Sequence, residues 1–154
     1  MKRCQPLDQA EVYVQNDHPS GGAEGSAILK KGWQKLEDNS MLIKRLHEAM
    51  PYTAPNHFDC KSLRLQGFEP GGPENCWVGL SYFLPGGGAG PDSSPLEKIY
   101  VILSGTLTLI VGGQEIELSP FDSCTIGPNI ERKIINKTNQ QVSILVIMPY
   151  PETK

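Results

Sequence analysis

Turn-forming residues divide the last two thirds of the chain into short apolar segments, and this pattern restricts the fold more than any other feature of the sequence. Glycine, proline and asparagine stand between the segments, and the pair Gly112-Gly113 is typical of a tight β-hairpin. The segments that we predict as strands are residues 62–66, 76–84, 98–103, 106–111, 114–118, 123–126, 132–136 and 142–148. We expect Pro85 and the three glycines after it to end the second strand at a tight turn. Short strands at even spacing indicate an all-β protein, an antiparallel barrel or jelly roll with few exposed strand edges.

The first third of the chain has a different composition. Residues 18–27 read HPSGGAEGSA, which is typical of a flexible linker. Residues 41–50 carry apolar side chains at helical spacing after two capping residues, which predicts a short helix that ends at Pro51. A chain of 154 residues suits one domain with a sizeable core. We therefore divide it into an N-terminal arm, residues 1–55, and a barrel, residues 56–154.

Charge and hydropathy exclude several classes of partner. The net charge of −3 at pH 7 gives no sign of the basic face that nucleic-acid binding requires. No segment approaches the roughly 20 apolar residues of a membrane span, and the first residues lack the apolar stretch of a secretory signal. We expect a cytoplasmic protein that binds neither nucleic acid nor membrane, with its four scattered cysteines reduced.

One constellation of residues surrounds the start of the third predicted strand. Gly86, Asp92, Ser94, Lys98 and Gly105 have the spacing Gly-x5-Asp-x-Ser-x3-Lys-x6-Gly. This spacing resembles the first motif of the cupin family, in which His, His and Glu occupy the three middle positions.

A second stretch, residues 120–136, is similar to the second cupin motif. Asp122 and Asn136 match that motif, and Arg132 stands at the position of its histidine. The resemblance covers roughly residues 60–148. The resemblance implies a double-stranded β-helix, or jelly-roll cupin barrel, here with a short N-terminal helical arm.

The resemblance also implies a pocket, although its chemistry differs from that of the family. The family's four metal ligands correspond to Asp92, Ser94, Lys98 and Arg132. A divalent ion beside two cations would meet charge repulsion, so we expect no metal and no other cofactor. Strand alternation directs Lys98, Tyr100 and Arg132 inward, so that Asp92, Lys98 and Arg132 share one pocket.

One carboxylate against two cations favours a small organic acid as the ligand. We expect Arg132, partly solvated when the pocket is empty, and Lys98 to hold its anionic group, and Asp92 or Lys98 to move a proton. Ser94, Tyr100, Tyr82 and His57 are the further candidates for substrate binding, with Tyr82 and His57 the weaker ones.

Three functions are compatible with this pocket. The first is a metal-independent isomerase, epimerase or lyase that acts on a small organic acid or sugar acid. The second is a non-catalytic small-molecule-binding or sensor protein. The third is a barrel filled by a structural ion pair. Because symmetric dimers are the commonest soluble oligomers, we also expect a homodimer.

Overall fold

The computed structural model of the protein describes residues 42–151 and contains nine strands within that range. The strands are β1 Met50–Tyr52, β2 His57–Gln66, β3 Cys76–Asp92, β4 Lys98–Ser104, β5 Leu107–Val111, β6 Gln114–Leu118, β7 Ser123–Ile126, β8 Arg132–Ile135 and β9 Val142–Pro149. They pair antiparallel in the order β6-β5-β8-β3-β9-β4-β7, with β2 also on β3 and β1 on β2. The prediction of an all-β jelly-roll barrel is thereby confirmed.

The alternation of side chains along the strands fills the barrel. Along β4, Lys98, Tyr100 and Ile102 are buried, whereas the residues between them are only half-buried. Along β8 the same pattern buries Arg132 and Ile134. The apolar core behind the site is made of Phe83, Ala89, Ile102, Leu107, Leu109, Leu118, Ile126, Val142 and Ile144. Because side chains alternate along both strands, Lys98 of β4 and Arg132 of β8 both point into the barrel, as predicted.

The predicted helix over residues 41–50 is wrong for the part that the structure describes. Residues 42–50 contain a single 3-10 turn, Leu46–Glu48, and Met50 already begins β1, where it lies opposite Arg64 of β2. A short isolated helix is marginal in water, whereas β1 obtains main-chain hydrogen bonds from β2. The sheet therefore begins before residue 56. The predicted linker, residues 18–27, lies outside the described residues.

Strand β3 does not stop at Pro85 as predicted. It pairs with β9 through its first half and with β8 at its end, so that it joins two parts of the sheet. Gly86 has a φ of +80°, and a Cβ atom on Gly88 would lie 2.2 Å from the carbonyl oxygen of Ile134. The glycines therefore permit a bend and a close approach to β8 within one continuous strand.

Asn136 holds this bend from the inside. Its side chain is fully buried, and Nδ2 donates hydrogen bonds to the carbonyl oxygens of Phe83, at 3.1 Å, and Leu84, at 3.0 Å. Its Oδ1 accepts from the backbone N–H of Thr138 at 3.0 Å. The residue that matched the second cupin motif thus fixes the path of β3.

Two further expectations concern the chain as a whole. Within the described range no helix is long and apolar enough to cross a membrane. Cys60, Cys76 and Cys124 are free thiols, as predicted, and Cys4 lies outside that range.

Candidate functional site

A cavity of roughly 390 Å³ opens inside the barrel, with a charged inner end and an aromatic outer part. The inner end contains Asp92, Ser94, Lys98, Tyr100 and Arg132. The structure thus brings the three predicted catalytic residues together. A pocket of this size suits a small organic ligand, with the few polar groups that fix its orientation.

Arg132 is the most firmly held of these side chains. It lies opposite Asp92 in the β3–β8 ladder, and its Nη1 is 3.0 Å from Asp92 Oδ2. The same Nη1 donates to the backbone carbonyl of Asp92, and Nε donates to the Tyr100 hydroxyl at 3.3 Å. Arg132 is only 4% exposed, so the expectation of a partly solvated guanidinium is wrong. Strand pairing places the guanidinium beside three acceptor oxygens, two of Asp92 and one of Tyr100, and thereby buries it.

Tyr100 is oriented by the same contact. Its hydroxyl oxygen accepts from Arg132, so the hydroxyl hydrogen is free to point elsewhere in the cavity. Burial raises the pKa of Tyr100, which keeps the phenol protonated at neutral pH. Tyr100 is therefore placed as a hydrogen-bond donor to a bound molecule.

Lys98 is buried to the same degree, yet it has no such partners. It is 6% exposed and lines the cavity, but it forms no hydrogen bond or ion pair with any of residues 42–151. Burial, and then the positive charge of Arg132, lower the pKa of Lys98 below its ordinary value. Asp92, its nearest source of negative charge in the cavity, is already engaged by Arg132. Lys98 thus brings a partly desolvated ammonium group into the cavity, and the negative charge of Asp92 only partly offsets the effects of burial and of Arg132.

His57 lies in the cavity, although its sequence context made it a weak candidate. Its ring stacks on Phe83 with centroids 6.0 Å apart, and Nδ1 lies 2.6 Å from the carbonyl oxygen of Pro55. Because a carbonyl only accepts, Nδ1 carries the proton and Nε2 keeps a lone pair in the neutral ring. Burial lowers the pKa of His57, so the ring is neutral at pH 7. It therefore presents a base, as well as a binding group, to the cavity.

The two remaining candidates differ in position. Ser94 lines the cavity, but its hydroxyl is engaged locally, since it donates to the carbonyl of Leu96 at 3.2 Å and accepts from the N–H of Leu96. Tyr82 does not lie in this cavity. Alternation along β3 places Ser81 inside, and Tyr82 faces a separate surface depression with Lys61. The expectation that Tyr82 lines the site is wrong, because the odd-numbered residues of this segment point inward.

The aromatic outer part of the cavity was not predicted. Tyr52, Phe68 and Trp77 form its wall together with Arg64, and the rings of Tyr52 and Trp77 meet edge to face at 5.6 Å. Alternation placed Trp77 on the same face as Ser81 but did not decide which face of β3 points inward. Tyr52 follows the predicted helix, in a segment where no strand was predicted, and Phe68 lies in the β2–β3 connection. Arg64 lay in the predicted strand 62–66, but no motif marked it as a site residue.

The inner end does not fit the metal that the fold family implies. Of the four residues at the ligand positions, Lys98 and Arg132 are cations, and Ser94 has its hydroxyl engaged. The remaining group, Asp92, is paired with Arg132. Among the described residues no group of three or more His, Cys, Asp or Glu side chains is placed to hold a metal ion. This donor set does not match the carboxylate and imidazole sites that bind divalent metals.

Comparison with known proteins connects this geometry to a family. The model of the cupin domain matches residues 79–148. The chain is also 40% identical over 111 residues to a protein of Mycobacterium tuberculosis named beta-D-galactosidase Rv1717, and the match covers 72% of this chain and 96% of that protein.

Solved structures show the same fold at low sequence identity. The polyketide cyclase RemF of Streptomyces resistomycificus matches with a TM-score of 0.61 and 19% identity, over 69% of this chain and 78% of that chain. A cupin 2 conserved barrel domain protein of Salinispora arenicola matches with a TM-score of 0.61 and 19% identity, over 71% of this chain and 89% of that chain. At this identity the likeness concerns the fold alone.

Proposed function

Because the chain belongs to the cupin superfamily, we propose that its barrel cavity is the site of a metal-independent enzyme that acts on a small sugar acid or related organic acid. The observation that carries this proposal is Lys98, which is 6% exposed and lines the cavity without a hydrogen bond or ion pair to any described residue. A buried charge is costly unless an opposite charge compensates it, and a bound anion would supply that charge.

The charges of the inner end support an anionic ligand. Lys98 and Arg132 contribute two positive charges, and Asp92 contributes one negative charge. His57 is neutral at pH 7, so one positive charge remains uncompensated. Lys98 would bind a carboxylate as a point charge, while the free edge of Arg132 adds directed donors.

The same residues can move a proton at the carbon next to that carboxylate. His57, through the lone pair of Nε2, or Asp92 would accept the proton from carbon. Lys98 and Arg132 would stabilise the enolate oxygen that forms, and the Tyr100 hydroxyl would donate a hydrogen bond to it or return a proton. Return of the proton to the other face of the carbon gives an epimer. Loss of a leaving group from the neighbouring carbon gives an unsaturated product, which is the reaction of a lyase.

Hydrolysis of β-D-galactosides is the second candidate, and the Mycobacterium tuberculosis relative favours it. Cleavage would break the bond between the anomeric carbon and the leaving oxygen. Lys98 would protonate that oxygen, and Asp92 would take a proton from the attacking water. Most glycosidases use two carboxyl groups for these tasks, whereas the described cavity contributes one, Asp92. In this candidate Lys98 takes the role of the acid.

One set of assays separates these functions from each other and from binding without turnover. Protein treated with EDTA is incubated with D-galacturonate in deuterated water, and hydrogen exchange is followed by NMR, while 4-nitrophenyl β-D-galactoside reports hydrolysis. We expect exchange in the wild type and its loss in Asp92→Asn and His57→Asn. Asp59→Asn is the matched control, because Asp59 is exposed and outside the cavity. Hydrolysis without exchange would favour the second candidate. Tight binding with neither reaction would identify a sensor or carrier and overturn the enzyme proposal.

The homodimer, the cytoplasmic location and the absence of nucleic-acid and membrane partners remain predictions from the sequence.

A further inference from the structure

We infer that the aromatic outer part of the cavity is a second subsite, which binds the outer unit of an extended sugar substrate and an acidic group on that unit. Its cation is Arg64. The inference rests on the proposal that the inner end of the cavity binds a sugar, and it adds that the natural substrate is larger than one sugar and acidic at its outer unit.

Arg64 is placed to receive an anion that the described part of the protein does not supply. It lines the cavity from β2, and its guanidinium carbon lies 4.5 Å from the centroid of the Phe68 ring and 5.8 Å from that of Tyr52. Its Nε is buried and has no hydrogen-bond partner, and no carboxylate of residues 42–151 forms an ion pair with it. A guanidinium stacked by its face on a ring keeps its N–H donors at the edge, where they match an oxyanion.

Phe68 is held in place for this contact. It is a non-glycine residue with a φ of +66°, a conformation that costs energy and persists where the surroundings enforce it. Tyr150 enforces it: its hydroxyl accepts from the backbone N–H of Phe68 at 3.3 Å and donates to the carbonyl of Pro73 at 2.7 Å. The rings of Phe68 and Tyr150 also meet edge to face at 4.9 Å. An aromatic ring that is 54% exposed is thus fixed at the cavity mouth, where it can pack against a ligand.

The strand register separates this subsite from the inner end. Arg64 lies opposite Gly79 of β3, Gly79 lies opposite Val146 of β9, and Val146 lies opposite Tyr100 of β4. Arg64 and Tyr100 are therefore three strand spacings apart, about 14 Å along the sheet. A single anion held by Lys98 and Arg132 leaves Arg64 available for a second acidic group. Tyr52 and Trp77 line the same cavity beside Arg64.

Two disaccharide derivatives test the subsite directly. Lactobionate carries a β-D-galactosyl group on gluconate, and lactitol carries the same group on the neutral open-chain sugar alcohol. Binding to the metal-free protein is measured by isothermal titration calorimetry. We expect wild-type protein to bind lactobionate about tenfold more tightly than lactitol, the effect of one charge-assisted contact. Arg64→Met should reduce this ratio to near one, and Arg64→Lys should restore part of it.

The matched control is Lys61→Met, on the same strand but outside the cavity, which should keep the wild-type ratio. Circular dichroism and a cooperative unfolding curve show that each variant is folded. If lactobionate and lactitol bind equally to the wild type, or if Arg64→Met keeps the preference, the subsite is overturned while sugar binding stands. If neither compound binds at millimolar concentration, the subsite is overturned, while the assays with D-galacturonate decide the proposed function separately.

Discussion

Arg132 and Asp92 form an ion pair across β8 and β3, with Nη1 and Oδ2 3.0 Å apart, at two of the positions where cupin metal sites have histidines. A cation and its counter-ion therefore occupy the positions of two metal ligands. Lys98 stands beside it and has no such counter-ion among the described residues. The charge of Arg132 is thus balanced within the protein by Asp92, whereas Lys98 is available to bind an anionic ligand.

The ion pair makes Arg132 a residue with a structural as well as a binding role. Arg132→Met removes the contacts to Asp92 and to Tyr100, and we expect a loss of about 2 kcal/mol in the free energy of unfolding. The loss stays below that for a fully buried pair because the Asp92 side chain is 33% exposed and water can solvate it. Urea unfolding measures the loss. An unchanged midpoint would show that the pair contributes nothing.

Lys98 should behave in the opposite way. The desolvation of its ammonium group in the cavity and the nearby charge of Arg132 oppose folding. We therefore expect Lys98→Met to raise the free energy of unfolding at pH 7 by about 1 kcal/mol while it abolishes binding of a carboxylate ligand. Lys61→Met, a change of an exposed lysine, is the control and should alter neither quantity. A destabilised Lys98→Met protein would mean that Lys98 has a structural partner.

Because the pKa of Lys98 is lowered, the amount by which Lys98 reduces the free energy of unfolding depends on pH. Between the pKa in the folded protein and the ordinary value of about 10.5, the unfolded chain binds more protons at this residue than the folded protein does. The wild type should therefore gain stability as the pH rises through that window, and this gain should be absent from Lys98→Met. Urea unfolding at several alkaline pH values measures the difference. A wild type whose stability falls relative to Lys98→Met over the window would contradict the assignment.

His57 makes a separate spectroscopic prediction. Its pKa should lie below the ordinary 6.5, with the proton of the neutral ring on Nδ1 and the lone pair on Nε2. Because the folded pKa is the lower one, His57 should cost stability as the pH falls below 6.5. NMR titration of the ring nitrogens measures both the pKa and the tautomer. A pKa above 6.5, or a proton on Nε2, would remove His57 as the candidate base.

The side chains at the four ligand positions also predict the metal content of the purified protein. With Lys98 and Arg132 at two of the four ligand positions, we expect no stoichiometric iron, nickel, manganese or zinc in the purified protein. Elemental analysis after dialysis against buffer without chelator gives the answer. One metal ion per chain, retained in wild type and lost in Asp92→Asn, would overturn the proposal of metal-independent chemistry.

The sequence predicted the inner end of the site better than the outer part. The positions of Asp92, Lys98, Tyr100 and Arg132 followed from motif spacing and strand alternation, since both depend only on local periodicity. The pairing of Arg132 with Asp92 rather than with a ligand depends on strand register, which one sequence does not specify.

The residues that were missed depend on long-range contacts. Residues 41–50 have helical periodicity, but pairing of Met50 with Arg64 directs the chain into a strand. Phe68 lines the cavity from a connection whose backbone is held by the hydroxyl of Tyr150, far along the chain. Tyr82 was placed on the wrong face because either face of β3 was compatible with the core.

The central claim is that the inner end of the barrel binds the anionic group of a sugar acid through Lys98, and one comparison tests it most directly. D-galacturonate and D-galactose differ only in a carboxylate against a hydroxymethyl group. Calorimetric titration of the metal-free protein should show tighter binding of D-galacturonate by about tenfold or more, and Lys98→Met should remove the preference. Equal affinity for the two sugars, or a preference that survives in Lys98→Met, would contradict the account.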